Sequence, residues 1–424
     1  MLVEGVDLGT LAERVGTPYY CYSGQTISAA YSRWRDAFAA VGFGAERHRT
    51  CFAVKANSAL AVLRHLAAHG AEFDVVSGGE LHRVLRAGGA AEQVVFSGPG
   101  KSVADLRHAL RVGVGLINIE VPGEVDRLHQ LAAETGRTTA VGLRLNPDVD
   151  PNTHPAITTG PRQTKFGLAP DEIEDLLRRG ALSPPLQVRA IAVHIGSQVA
   201  DLDPMADAAA ETLRWARRLG DAGHEVEWID IGGGLAIPYD AADRVPTPEA
   251  FAARIATALQ GWSGGLITEP GRVIVGPAGW LVTRVTAMRR RGDRGLLVCD
   301  TGMNALLRPA LYDAHHAVEA VEEVGAAGQD EVWDVVGPLC EEGDVLARGI
   351  RLPAISVGSL LVVRDVGAYG FVMSSEYNTH PRPAQVWVEG ERWATITPRP
   401  SFEDMLKGEQ LAPWQQPVVA EPGA

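Results

Sequence analysis

CFAVKANSALAVLRHLAAHGAEFDVVSGGELHRVLRAGGAAEQVVFS, residues 51–97, holds three short runs rich in Val and Phe separated by stretches with helical apolar spacing. Runs 51–55, 73–77 and 94–97 read as strands, and between the last two Leu81, Val84 and Leu85 mark one helix face that Gly88 closes. The alternation continues through five more strand-like runs at 116–120, 140–145, 190–194, 228–231 and 266–269. Apolar faces such as Val103/Leu106/Leu110, Val125/Leu128/Leu131, Ile173/Leu176/Leu177 and Phe251/Ile255/Leu259 fill the intervals, with Gly113, Gly136, Gly180 and Gly220 where C-caps belong. Eight strand-helix units in this span predict an α/β chain whose residues 27–275 form a (β/α)8, TIM-like barrel. An open doubly wound sheet is the competing fold.

After residue 275 the rhythm changes to β-rich runs without intervening helices, at 280–288, 295–298, 331–336, 359–366 and 385–393, the last turning at Glu389-Gly390-Glu391. They predict an all-β domain, a barrel or sandwich. The N-terminal run 19–22 looks like a strand outside the (β/α)8 unit, so residues 1–26 and 276–424 are expected to form this second domain together, contributing substrate and dimer-interface residues. A short helix is expected at 401–406 and a frayed tail at 415–424.

Composition narrows the function. With 46% hydrophobic and 21% charged residues the 424-residue chain is an ordinary globular one, neither disordered nor fibrous. Its 39 Lys plus Arg are dispersed among 52 Asp plus Glu, a net charge of −13, so no footprint for nucleic acid or an anionic membrane is present and a small-molecule partner is expected. Cys21, Cys51, Cys299 and Cys340 lack disulfide or metal-ligand spacing, and the first residues lack a basic and apolar leader; reduced thiols in the cytoplasm are the expectation. No apolar run is long enough to cross a bilayer.

In such a barrel the active site gathers at the C-terminal ends of the strands, and those positions here are polar: Lys55, Asp74, Glu120, Arg144, His194 and Glu269, with Gly232-Gly233-Gly234 after the seventh run. Lys55 follows Phe52-Ala53-Val54 and reads either as a snorkelling rim residue or as a desolvated amine that loses its proton and attacks a carbonyl to form a Schiff base. The triple glycine reads as a tight turn or, with Ser197 and Arg272, as a phosphate cradle. His194 reads as a buried hydrogen-bonded ring or as one lying flat on a cofactor. A Schiff-base lysine beside a phosphate cradle points to pyridoxal phosphate, with Glu269 as the carboxylate for its ring nitrogen.

These residues stand within ordered motifs: Phe52-Ala53-Val54-Lys55-Ala56-Asn57, Phe73-Asp74-Val75-Val76-Ser77-Gly78-Gly79-Glu80, Asn146-Pro147-Asp148-Val149, Lys165-Phe166-Gly167, His194-Ile195-Gly196-Ser197, Glu269-Pro270-Gly271-Arg272, Gly302-Met303-Asn304, Arg308-Pro309-Ala310-Leu311-Tyr312, Cys340-Glu341 with Gly343-Asp344, and Gly367-Ala368-Tyr369-Gly370. Through them nearly the whole chain resembles the fold-type III pyridoxal-phosphate decarboxylases, most closely their diaminopimelate-decarboxylating branch. The resemblance implies that Lys55 holds pyridoxal 5′-phosphate covalently, that His194 stacks on its ring, and that Glu269 meets the pyridinium nitrogen. Asp74, Arg144, Ser197, Gly233, Gly234, Gly271, Arg272 and Tyr369 are the implied remainder of the cofactor site.

The resemblance further makes Cys340 the acid that reprotonates carbon, reaching in from the partner of a homodimer; as a bare sequence feature it equally reads as a small buried hydrophobe. Arg308, Tyr312, Arg272 and Tyr369 are the implied clamp on a distal substrate carboxylate, with Glu341 of the partner receiving the distal ammonium. Alone, Arg308 equally reads as a surface ion-pair residue. Glu342 departs from the small residue usual after Cys-Glu. Another amino-acid substrate, such as lysine, ornithine or a carrier-bound amino acid, and a non-catalytic relative are the alternatives. An alanine racemase-type enzyme would place arginine, not Glu269, at the ring nitrogen. The polar stretch 148–162 is long enough to be a lid.

Overall fold

A computed structural model describes residues 1–149, 158–160, 164–291, 294–322 and 331–415. Within it His48–Ala53, Glu72–Val75, Val94–Phe96, Leu116–Ile119, Thr139–Arg144, Leu186–Ala192, Trp228–Asp230 and Gly265–Thr268 pair side by side in chain order. All pairs are parallel, and the last strand returns to the first with Leu266 opposite His48, so the ring closes and the open-sheet alternative is set aside. Alternation along each strand divides the side chains between two environments. Phe52, Phe96, Ile117 and Leu266 join the large core under the helices, whereas their neighbours Cys51, Val95, Leu116 and Ile267 form a separate small cluster within the ring.

The helices start where local chemistry tells them to. The Ser77 hydroxyl accepts from Glu80 N to cap helix Gly78–Arg86, and Ser102 forms a capping box with Asp105 ahead of Val103–Val112. Gly113 and Gly136 end their helices in the left-handed region, as their spacing predicts. Gly220 instead lies inside the helix Asp203–Asp221. Helix Gly24–Ala40 carries the chain into the barrel, burying Ile27, Trp34 and Phe38.

The second domain is built on one long strand, Gly279–Arg291. Its first half pairs with Leu360–Val363 on one side and Tyr19–Ser23 on the other, and its second half pairs with Arg294–Cys299. Tyr19–Ser23 also pairs in parallel with Ala384–Glu389, so the N-terminal strand sits inside the later sheet, as expected. The hairpin turns at Gly390 into Arg392–Thr397. Strands Val318–Ala320 and Val345–Leu352 were not legible, because the second is an edge strand whose apolar pattern Arg348, Gly349 and Arg351 interrupt. The expectation of no helices between these strands is corrected by Arg308–Tyr312, a one-turn helix, whereas the short helix expected at 401–406 stands at Phe402–Leu406. Of the expected frayed tail, 416–424 lies outside the described residues.

Candidate active site

A cavity of about 450 Å³ opens at the C-terminal ends of the barrel strands and is closed on one side by the second domain. Lys55 stands at its base, in the turn Val54–Ala56 beyond a first strand that ends at Ala53. Its Nζ donates to Asp74 Oδ2 at 2.7 Å; the lysine side chain is 32% exposed and the aspartate fully buried. Arg144, His194, Ser197 and Glu269 converge on the same space, each at or just past its strand, and Arg308, Tyr312 and Tyr369 enter from the second domain. Gly234 and Gly271 line an adjoining recess with Ser197 and Arg272.

The recess has the character of an anion site. Arg272 is buried; its Nη2 donates to Ser197 Oγ at 3.0 Å and its Nη1 to Tyr239 OH at 2.6 Å, while its Nε has no partner among the described residues. Backbone approaches so closely that a Cβ on Gly233 would stand 2.2 Å from the Glu269 carbonyl oxygen. Gly234, at φ +100°, would place one 2.3 Å from the Gly196 carbonyl oxygen. Gly233 N–H lies 3.4 Å from His194 Nδ1, which places the ring proton on Nε2.

Charge at the barrel centre differs from the expectation for Lys55 in one respect. Burial alone pushes its pKa down, but Asp74, Glu269 and Tyr369 together outweigh that and carry it above the ordinary lysine value. A desolvated amine that sheds its proton easily is therefore corrected to an ammonium paired with Asp74. Burial, then Asp230 and Asp74, raises Glu269 well above the usual carboxylate range, and burial lifts Asp230 to about 6. His194 is pushed well below its ordinary value by burial and by the cations Arg144 and Lys55, so it is neutral. Glu120 Oε1 accepts from Arg144 Nη1 at 2.8 Å and from Gly98 N–H, tying a cavity wall to the fifth strand.

Cys340 and Glu341 do not join the cavity of their own chain. Cys340 is exposed, with its N–H 3.3 Å from Asn378 Oδ1, and Glu341 Oε1 accepts from Tyr377 OH at 2.5 Å. Glu342 is exposed as well. Of the stretch read as a lid, 150–157 and 161–162 lie outside the described residues. Sequence reasoning missed Ser97, Tyr239 and His316, and gave Lys165 no role beyond its place in the Lys165-Phe166-Gly167 motif. Ser97 was legible as the polar end of the third run; Tyr239 and His316 lie in irregular segments where no periodicity marks them.

These groups fit pyridoxal 5′-phosphate. The Lys55 amine could take its aldehyde, the buried Arg272 with its unpartnered Nε, the Ser197 hydroxyl and the glycine loop could take its phosphate, and Glu269, 3.4 Å from Ser97 Oγ, could take its ring nitrogen. Barrel and site together define the pyridoxal-phosphate decarboxylases built on this fold. Residues 24–276 match the family model described as "Pyridoxal-dependent decarboxylase, pyridoxal binding domain". A diaminopimelate decarboxylase of Pseudomonas fluorescens is 45% identical over 97% of this chain and 97% of its own. The crystal structure of diaminopimelate decarboxylase from Helicobacter pylori complexed with L-lysine superposes with a TM-score of 0.89 at 32% identity, covering 95% of this chain and 98% of that one. The M. jannaschii enzyme in co-complex with L-lysine gives 0.91 at 31%, covering 97% and 96%. The chain belongs to the diaminopimelate decarboxylase family. Among the described residues no helix is long and apolar enough to cross a membrane.

Proposed function

We infer that the chain uses pyridoxal 5′-phosphate to remove carbon dioxide from one end of meso-2,6-diaminopimelate, leaving L-lysine as the last step of lysine biosynthesis. The bound cofactor supplies a ring that accepts the electron pair of the breaking Cα–carboxylate bond. The observation that carries the substrate reading is a buried guanidinium, Arg308, in the same cavity as Lys55. A distal carboxylate answers that charge, whereas the distal ammonium of a lysine or ornithine substrate would be repelled by it.

In this reading Lys55 holds the cofactor, with Asp74 keeping its Nζ in place. Arg272, Ser197 and the Gly233, Gly234 and Gly271 backbone anchor the phosphate, and Arg144 and Tyr369 complete the site. Neutral His194 covers the ring without adding charge, and Glu269 takes the ring nitrogen. Arg308, Tyr312, Arg272 and Tyr369 orient the substrate by its distal carboxylate, so the reacting bond is set by the far end of the molecule. The exposure of Cys340 and Glu341 away from their own cavity supports a homodimer in which they serve the partner's, Cys340 returning a proton to carbon and Glu341 receiving the distal ammonium. The division into 27–275 and 1–26 with 276–424, and work in the cytoplasm, belong to the same proposal.

Carbon dioxide release from the stereoisomers of diaminopimelate, beside lysine and ornithine, tests it. Release from the meso isomer alone is expected, and Lys55→Ala should be colourless and inactive. Equal turnover of lysine or ornithine would overturn the substrate reading.

A further inference from the structure

Arg308 is buried; the Tyr312 ring, which also lines the cavity, lies 5.9 Å from its guanidinium, but the side chain that holds its Nε lies outside the cavity lining. That Nε donates to His316 Nε2 at 3.2 Å. The tautomer follows from the other ring nitrogen: His316 Nδ1 lies 2.9 Å from the Arg364 carbonyl oxygen, which only an N–H can serve. Nε2 therefore presents a lone pair. Burial, reinforced by the positive Arg308, pushes His316 down to about 3, so the acceptor carries no charge. Below, the guanidinium lies 5.1 Å from the centroid of Tyr239, whose ring meets His316 edge-on with centroids 4.8 Å apart. The same tyrosine accepts from Arg272.

A guanidinium grips a carboxylate bidentately either along its Nε edge or through its two Nη groups. With the Nε edge taken by a histidine, only the Nη pair is left for a ligand, and its direction is fixed. A carboxylate in place of His316 would orient Arg308 equally well but would neutralise it; a neutral imidazole leaves the full positive charge for the substrate.

We propose that His316 is a positioning residue which fixes Arg308 by its Nε edge, aims the Nη pair at the distal carboxylate, and so sets the preference for substrates that carry one. This deepens the reading of Arg308 given above and rests on it.

The test separates the two. Decarboxylation at one end of diaminopimelate leaves lysine with the carboxylate that was distal, and 1,5-diaminopentane is the same chain without it. Holoenzyme carrying His316→Phe, which keeps a ring against Tyr239 but has no acceptor, should show KM for diaminopimelate and the inhibition constant of lysine raised about tenfold or more. Inhibition by 1,5-diaminopentane should stay within twofold, and kcat should fall far less than KM rises. His316→Gln, which restores an acceptor near the Nε2 position, should recover most of the loss. Should phenylalanine not be accommodated, judged by cofactor content and circular dichroism, His316→Leu reads the same ratio of lysine to diaminopentane inhibition. Lysine and diaminopentane weakening by one common factor, or an unchanged KM, would overturn the proposal. Arg308→Ala is the separate arm: if it too fails to discriminate between the two inhibitors, the clamp reading of Arg308 falls; if it discriminates and the His316 variants do not, only the role of His316 falls.

Discussion

Glutamine at position 124 removes one partner of a fully enclosed ion pair, and the cost can be worked out. Lys101 Nζ and Glu124 Oε1 are 3.0 Å apart with side-chain exposures of 0% and 1%, and Nζ also donates to the Gly98 carbonyl at 2.5 Å. Burial already pushes Lys101 below its ordinary value of 10.5, with Glu124 and then Glu120 opposing. Stranding such a charge costs about 3–5 kcal/mol. A ceiling comes from proton loss: if Lys101 gives up its proton at pH 7, the cost relative to a free lysine is about 4.8 kcal/mol. Spread over the unfolding entropy of a chain of this length, the melting temperature should drop about 3–6 °C.

The sign of the pH dependence is also fixed. In the variant the folded-state pKa of Lys101 lies further below the unfolded one, so between the two the unfolded chain binds more protons and stability rises with pH. The deficit of Glu124→Gln against the parent should therefore shrink from pH 7 towards pH 10. Scanning calorimetry across that range checks it, and adding Lys101→Met should restore part of the loss. A deficit that does not change with pH, or a double variant less stable than the single one, would refute the assignment of the penalty to a stranded ammonium. Because Gly98 and Gly100 line the cavity, KM should rise in the single variant as well.

Two further outcomes are expected. Cys340→Ala should retain cofactor absorbance yet lose about a hundredfold or more in kcat, the usual worth of a positioned acid; mixing it with Lys55→Ala should restore up to about a quarter of parental activity, because the proposed shared sites would leave one intact centre per mixed dimer, and no recovery would count against a composite site. Since carboxylates hold Lys55 above its ordinary pKa, the neutral amine fraction, and with it the rate of covalent cofactor attachment to apo-protein followed by absorbance, should climb steeply from pH 7 to 9; Asp74→Asn removes the partner at 2.7 Å and should speed attachment at pH 7.5 about tenfold or more, whereas a flat parental profile would sink this account of Lys55.

The barrel was legible because its strands are short apolar runs bounded by glycine, and a parallel sheet buried on both faces leaves that trace. Lys55, His194 and Glu269 were legible for the complementary reason: each is a polar residue where an apolar run stops. The charge state of Lys55 was not, since it depends on side-chain distances that a strand pattern does not give: Asp74 lies against the amine from the neighbouring strand, and the closed ring brings Glu269 from far along the chain. Tyr239 and His316 left no trace, because neither sits on a periodic element; Tyr239 meets Arg272 only through tertiary packing, and His316 meets Arg308 through an eight-residue turn of chain. The edge strand Val345–Leu352 was hidden by its own arginines, which a solvent-facing edge tolerates and a pattern search discards.

The place of Tyr19–Ser23 between Gly279–Arg291 and Ala384–Glu389 bears on how the molecule is made. A ribosome releases this strand first and its two neighbours only after the whole barrel has emerged, so five residues that end fully enclosed wait unpaired through most of synthesis. Closure of the ring brings helix Gly24–Ala40 beside the turn Gly276–Ala278 and thereby delivers the strand to its slot. Lesions that slow ring closure should therefore show first as lost yield, before any change in turnover by the molecules that finish.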